Sequence, residues 1–310
     1  MLQFHRFHER LNRSIKVQAI GLGLLADEID AGITAVALKQ RMYARQALWG
    51  GMPDWAGASD DVELALRDVG QGGVVRAFSA FDLFLDELVA ELTSWSDFSG
   101  TAPPAGTNEE SDADKNLDRV EKIYHQLGTS RARVSDIWAV YRYFRRARNC
   151  IAHREGIASR TLVQAFGAPE LQPTLDRWIN RTGEMTAPAL VPVSFGQPIE
   201  FTHRQAIAAS SVLRLLALDL GKLLISHLGH EGFVYLVARR AFLDDPPLPE
   251  IARKASMTKA FNFMMADRCR VRDYREEEGL RALRQIGLTK ACSASFAKIK
   301  KQAQAAGATP

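Results

Sequence analysis

Apolar positions recur at helical spacing along most of this chain. Val134, Ile137, Trp138, Tyr141 and Phe144 follow the i, i+3, i+4, i+7 rule of a buried helix face. The pattern predicts a helix from about Arg131 to a glycine stop at Gly156. Upstream, Val74, Phe78, Phe81, Leu85, Leu88 and Leu92 mark a long amphipathic helix after Gly72-Gly73. Asp60-Asp61 puts acids at the start of the helix before it. Arg76 and Asp82 lie on the flanks of the long helix and read as a surface or interhelical ion pair. Residues 3–48 read as one or two helices, with a break near Gly21-Leu22-Gly23 or at Gly32. Shorter helices are predicted over 115–127, ended by Gly128, over 204–228 with Thr202 as cap, and over 231–242. Only Leu190–Phe201 reads as β, a small hairpin over Gly196-Gln197.

The expected fold is therefore all-α, with a small β-hairpin inserted. Gly50–Gly57 and the proline cluster Asp244–Pro249 are turn-rich boundaries, and 97–114 reads as a flexible polar loop. They divide the chain into an N-terminal helical arm (1–57), a central helical domain (58–245) and a basic helical appendage (250–310), whose last residues, from Gln302, should fray. Within the appendage, Leu280–Thr289 has the outline of a helix-turn-helix, without further support from the sequence.

Composition adds little to this and excludes several classes. The chain is 310 residues long, 46% apolar and 25% charged, as for an ordinary soluble globular protein. Three cysteines lie far apart with no C-x-x-C pair, so neither a disulfide framework nor a thiolate zinc site is expected, and a reducing cytoplasm is the natural setting. No signal-peptide pattern opens the chain, and its greasiest stretch, Val212–Leu228, carries Arg214, Asp219 and Lys222, so no membrane span is expected. Net charge is only +4, yet residues 250–310 hold thirteen Lys and Arg against six acids. Arginine outnumbers lysine nearly three to one, which suits bidentate phosphate contact and equally a GC-rich genome.

The chemistry gathers at the end of the motif helix, in Arg142-Tyr-Phe-Arg-Arg-Ala-Arg-Asn-Cys-Ile-Ala-His153-Arg-Glu-Gly156. Carried on by sevens, the apolar line runs Val134, Tyr141, Arg148, which brings an arginine beside a core-facing stripe. An unpaired guanidinium is expensive to bury, so Arg148 requires an explanation. The bare spacing does not supply one. With seven histidines in 310 residues, an arginine four to six residues ahead of a histidine is expected about twice by chance, and Arg119 before His125 is a decoy.

Context discriminates. Arg148-Asn149-Cys-Ile-Ala-His153 closes an amphipathic helix, follows a long Phe-rich helix and a polar loop, and precedes another apolar helix. Over about residues 60–242 this arrangement resembles the HEPN family (higher eukaryotes and prokaryotes nucleotide-binding domain), all-α bundles that often act as metal-independent endoribonucleases. The resemblance implies catalytic roles for Arg148 and His153, with Asn149 assisting. It also implies a homodimer with a composite active site, no cofactor or metal, and RNA as substrate. Such domains commonly serve as toxins or antiphage effectors, which implies an antitoxin or other regulatory partner. In HEPN proteins modified by a partner nucleotidyltransferase a tyrosine stands two residues after the histidine; here that position is Glu155, so that route of regulation is not expected.

The residue types suit the reaction. Attack of a ribose 2′-OH on its own phosphate needs a proton acceptor, a donor for the leaving oxygen and a cation on the phosphorane, and it leaves a 2′,3′-cyclic phosphate. Histidine serves as acid or base near neutrality, and arginine forks onto two phosphate oxygens. Arg145, Arg146 and Arg154 are candidates for RNA phosphates or a solvated helix face. Asn149, four residues before His153, is placed to orient its ring. Glu155 reads as a helix-end salt-bridge partner of Arg148 or Arg154, and the resemblance makes Asp82 a further candidate to support Arg148. His5-x-x-His8 and His227-x-x-His230 have metal-ligand spacing but no third ligand nearby. Two other readings stay open: a non-catalytic HEPN module binding RNA, nucleotide or protein, and a helical regulator reading DNA through the basic tail.

Overall fold

The structure is a computed structural model and describes residues 2–41, 57–101, 118–182, 187–244, 249–271 and 276–305, apart from the single positions 35, 39, 189 and 270. The described residues are mostly helical, with no strand among them. In chain order the helices are α1 (Leu2–Asp30), α2 (Ala58–Ser99), α3 (Arg119–Gln126), α4 (Ser135–His153), α5 (Arg160–Phe166), α6 (Leu171–Thr182), α7 (His203–Ala238), α8 (Pro249–Ala252), α9 (Met257–Phe263), α10 (Glu276–Gln285) and α11 (Thr289–Ala305). None of them is long and apolar enough to cross a membrane. By contacts the chain forms two units, Gln3–Leu85 with Ser130–Asp219, and Asp86–Thr129 with Leu220–Pro310. The linker-like 50–56, most of the polar loop 97–114 and the terminal 306–310 lie outside the described residues.

In the first unit, α4 is the central element. Val134, Ile137, Trp138, Tyr141 and Phe144, the stripe read from the sequence, are all buried, and Tyr143, Ala147 and Cys150 extend it. Tyr141 stacks on Phe78 of α2 with ring centroids 6.1 Å apart, while α5 and α6 pack on α4. Burial pushes the Tyr143 phenol far above its usual range; its hydroxyl donates to the Val191 carbonyl at 2.8 Å. α1 joins the same unit. Phe4 packs against Phe81 and Phe84 at 5.8 and 5.6 Å, and His8 shares a 2.5 Å hydrogen bond with Ser210. α1 is continuous through Gly21 and Gly23, and the positive φ of Gly32 follows its end.

Two sequence expectations are corrected. The chain does not start a new helix after Gly72-Gly73; α2 runs unbroken for 42 residues. Its glycines serve close approach, since a Cβ on Gly70 would sit 2.6 Å from the Phe201 carbonyl oxygen, and one on Gly73 2.6 Å from the Ala206 Cβ. Nor do residues 190–201 form a hairpin. Pro198 instead forms an isolated antiparallel bridge with Ile157, just beyond the motif helix. Proline cannot donate to a ladder, so the segment pairs only where its neighbours' amides serve.

The second unit has its own core, in which Val234, Phe242, Ile251, Phe261, Leu283 and Phe296 are buried together. Gly229, with φ 63° and ψ −166°, breaks α7 near where the sequence separates 204–228 from 231–242. Glu91 is buried here between two arginines: Arg240 donates twice to its Oε1, at 2.9 and 2.5 Å, and Arg239 Nη1 lies 3.1 Å from Oε2. Asp118 caps α3 in a reciprocal capping box with Glu121.

The glycines of α2 give a test with opposite signs. Gly70→Ala places a methyl against backbone that cannot yield, and is expected to cost about 1–3 kcal/mol. Gly72→Ala meets nothing within 4 Å and should stabilise by up to about 1 kcal/mol. Urea unfolding of the two variants checks both signs.

Candidate functional site

The motif helix ends in two steps. His153 is the last residue of α4, and the Arg154 N–H bonds to the Cys150 carbonyl at 2.9 Å. Glu155 and Gly156 then both take left-handed backbone, with φ of 53° and 77°. Such a conformation costs a residue with a Cβ roughly 1–2 kcal/mol. It turns the chain back so that the Ala158 N–H reaches the Gln197 carbonyl and the Ile199 N–H reaches the Gly156 carbonyl, each at 2.9 Å. Gln71 of α2 fastens the turn by donating to the Ile199 carbonyl at 2.9 Å. Its amide nitrogen lies 3.1 Å from where a Cβ on Gly156 would be, so this glycine is needed for space as well as for φ. The Cys150 thiol, inside the helix end, donates to the Ser159 hydroxyl at 3.3 Å.

Arg148 sits half-buried one turn earlier. Its Nη1 donates to the Asn149 side-chain oxygen at 3.2 Å, its Nη2 lies 3.8 Å from Asp82 Oδ2, and its buried Nε has no hydrogen-bond partner among the described residues. The carboxylate is thus near enough to favour the charge and too far for a forked, hydrogen-bonded pair. Asp82 is an interhelical partner of the motif arginine, and no ion pair joins it to Arg76 among the described residues. Arg145 belongs to the same cluster. Burial pushes its guanidinium below the usual value, Arg146 and Arg148 add to the effect, and Asp82 opposes it. Arg146 itself is exposed, and Arg142 lies 3.6 Å from Glu170.

The structure thus brings Arg145, Arg148, Asn149 and Asp82 together. It leaves His153 and Arg154 exposed at the helix end. Because α4 runs unbroken through both positions, Arg148 and His153 differ by five helical steps, roughly 140° around the axis and about 7.5 Å along it. Two expected contacts are not made among the described residues. The Asn149 side-chain oxygen accepts from Arg148, and no hydrogen bond joins Asn149 to His153. Glu155 forms no ion pair with Arg148 or Arg154, because its exposed side chain stands on the left-handed turn. Nor do the described residues hold a cluster of His, Cys, Asp and Glu able to bind a metal ion. His8 is engaged by Ser210 and Asn12, and His5 by Glu9 at 3.2 Å.

Sequence reading missed Gln71 and the bridge after the helix. Gln71 reaches a carbonyl 128 residues away and the bridge joins positions 157 and 198, and no local pattern marks either contact. Comparison with protein families, with curated proteins and with solved structures returned no match.

The turn is directly testable. Glu155→Gly should stabilise the protein by about 1 kcal/mol, by relieving the left-handed strain. Gly156→Ala should cost more than about 1 kcal/mol, through strain and the clash with Gln71. Thermal unfolding measures both.

Proposed function

We propose that this chain is a metal-independent endoribonuclease of the HEPN type, acting as a homodimer. The observation that supports it most is the state of Arg148: a half-buried guanidinium, held beside Asp82 without being fully hydrogen-bonded, on the helix that ends in exposed His153. A cation positioned in this way keeps donors for phosphate oxygens, and Asp82 limits its freedom without neutralising it by a forked contact. In this reading His153 takes the 2′-OH proton or supplies one to the leaving 5′-oxygen, while Arg148 bears on the phosphorane. Arg145, Arg146 and Arg154 hold neighbouring phosphates. Since one copy of α4 turns the two side chains about 140° apart, the reacting phosphate is framed by Arg148 of one copy and His153 of another. The biological role that goes with this reading is a toxin or antiphage effector under the control of a neutralising partner.

The continuity of α4 through His153 favours a second reading, a non-catalytic HEPN module that binds RNA, nucleotide or a partner protein. The two readings separate on RNA ends. In the catalytic reading, expression arrests growth, cellular RNA acquires 2′,3′-cyclic phosphate termini, and His153→Ala abolishes both while leaving the melting temperature unchanged. Arg148→Ala is expected to lower the cleavage rate by about 10²–10³-fold. RNA that stays intact with the purified protein, together with equal toxicity of His153→Ala, would rule catalysis out.

A further inference from the structure

The C-terminal helices carry a feature that is independent of the ribonuclease reading. α10 ends in a paired cap: the Leu288 N–H bonds to the Leu283 carbonyl at 3.0 Å, the Gly287 N–H to the Arg284 carbonyl at 3.1 Å, and Gly287 has φ 74°. Leu283 and Leu288 are both buried, the apolar contact that accompanies this cap. Only Ile286, Gly287 and Leu288 separate α10 from α11, so two helices meet through a three-residue turn containing glycine. Ala282, Leu283, Cys292, Phe296 and Ile299 fix the pair onto Ile251 and Phe261 within one core.

The outer face of α11 is what the pair presents. Lys290, Ala294, Ala297 and Lys301 are exposed at i, i+4, i+7 and i+11, opposite buried Cys292, Phe296 and Ile299, and exposed Lys298 flanks them. The middle of this face is only a methyl group high, and its ends are cationic. None of these lysines forms an ion pair among the described residues. After Glu278 the chain contains six Lys and Arg and no acid, and exposed Arg281 and Arg284 of α10 extend the same sign.

We propose that α10–turn–α11 is a helix-turn-helix that binds duplex DNA, with α11 entering the major groove. Ala294 and Ala297 let the helix approach base edges closely, while Lys290, Lys298 and Lys301 reach the phosphates. The groove, about 12 Å wide, admits a helix of this narrow profile. Duplex RNA closes its major groove to side chains, and single-stranded RNA is gripped by stacking on aromatic rings. The aromatic residue of α11, Phe296, is buried.

The test is fluorescence anisotropy of the full chain with a short labelled random-sequence DNA duplex, against the same sequence as single- and double-stranded RNA. The RNA arms use the His153→Ala protein so that the probes survive. Expected is binding of the DNA duplex in the micromolar range at low salt, weakened at least about tenfold by Lys298→Glu/Lys301→Glu and by Ala294→Glu. The slope of log affinity against log salt falls by about two in Lys298→Ala/Lys301→Ala, and Lys298→Arg/Lys301→Arg retains binding. Circular dichroism shows that the variants are folded. The proposal is overturned by no binding at low salt, by binding that the α11 variants leave unchanged, or by RNA bound in preference through the same residues. Loss of RNA cleavage in His153→Ala with DNA binding intact shows the two activities to be separate.

Discussion

Two missing side chains determine how near α2 comes to its neighbours, and the motif helix depends on that approach. At Gly70 the helix meets the backbone of Phe201 and Thr202, and at Gly73 it meets Ala206 and Ile15. Nothing with a Cβ fits at either distance. The closeness allows Phe78 to reach Tyr141, Gln71 to reach the Ile199 carbonyl and Asp82 to come within ion-pair range of Arg148. One helix surface thus supplies the apolar support, the fastening of the turn and the counter-charge for the same nineteen-residue helix.

The buried face of α4 and its glycine stop were legible because helical periodicity is a local property. The sequence sets Asp82 with Arg76 on the flanks of the long helix, whereas in the structure Arg148 of the motif helix lies within ion-pair range of it. What the pattern obscured has a common cause. Glycine in a sequence reads as a break, whereas Gly70 and Gly73 stay helical because close packing, against backbone at Gly70 and against side chains at Gly73, outweighs their intrinsic cost. Alternation in Leu190–Phe201 reads as a hairpin, but its prolines deny it a ladder, and the bridge goes to Ile157. Glu155 reads as an ion-pair partner by charge alone, and only the backbone shows that it occupies a left-handed position. Helical spacing placed Asn149 below His153 and could not reveal that Arg148 would take its oxygen.

The two units set arginines against carboxylates at different distances. Arg146 and Arg148 both act against the charge of Arg145 while Asp82 favours it, and Asp82 stays 3.8 Å from Arg148. The second unit treats arginine differently. Glu91 and Asp244 meet Arg239 and Arg240 at hydrogen-bonding distance, charge for charge. A guanidinium held in hydrogen-bonding contact has fewer donors left for other anions than one whose carboxylate stands farther off. Arginine content by itself did not distinguish these cases, because the distinction lies in how near the carboxylates come.

The cap between α10 and α11 also limits how this part of the chain can vary. Surface loops usually absorb inserted residues at small entropic cost. Here both turn hydrogen bonds are counted from the end of α10, and Leu288 must land in the core on the residue after Gly287. One added residue would leave either the carbonyls or that pocket unfilled. The direction in which α11 leaves α10 is therefore set by a count of three residues, and substitution can change what the helix presents while length cannot change where it points.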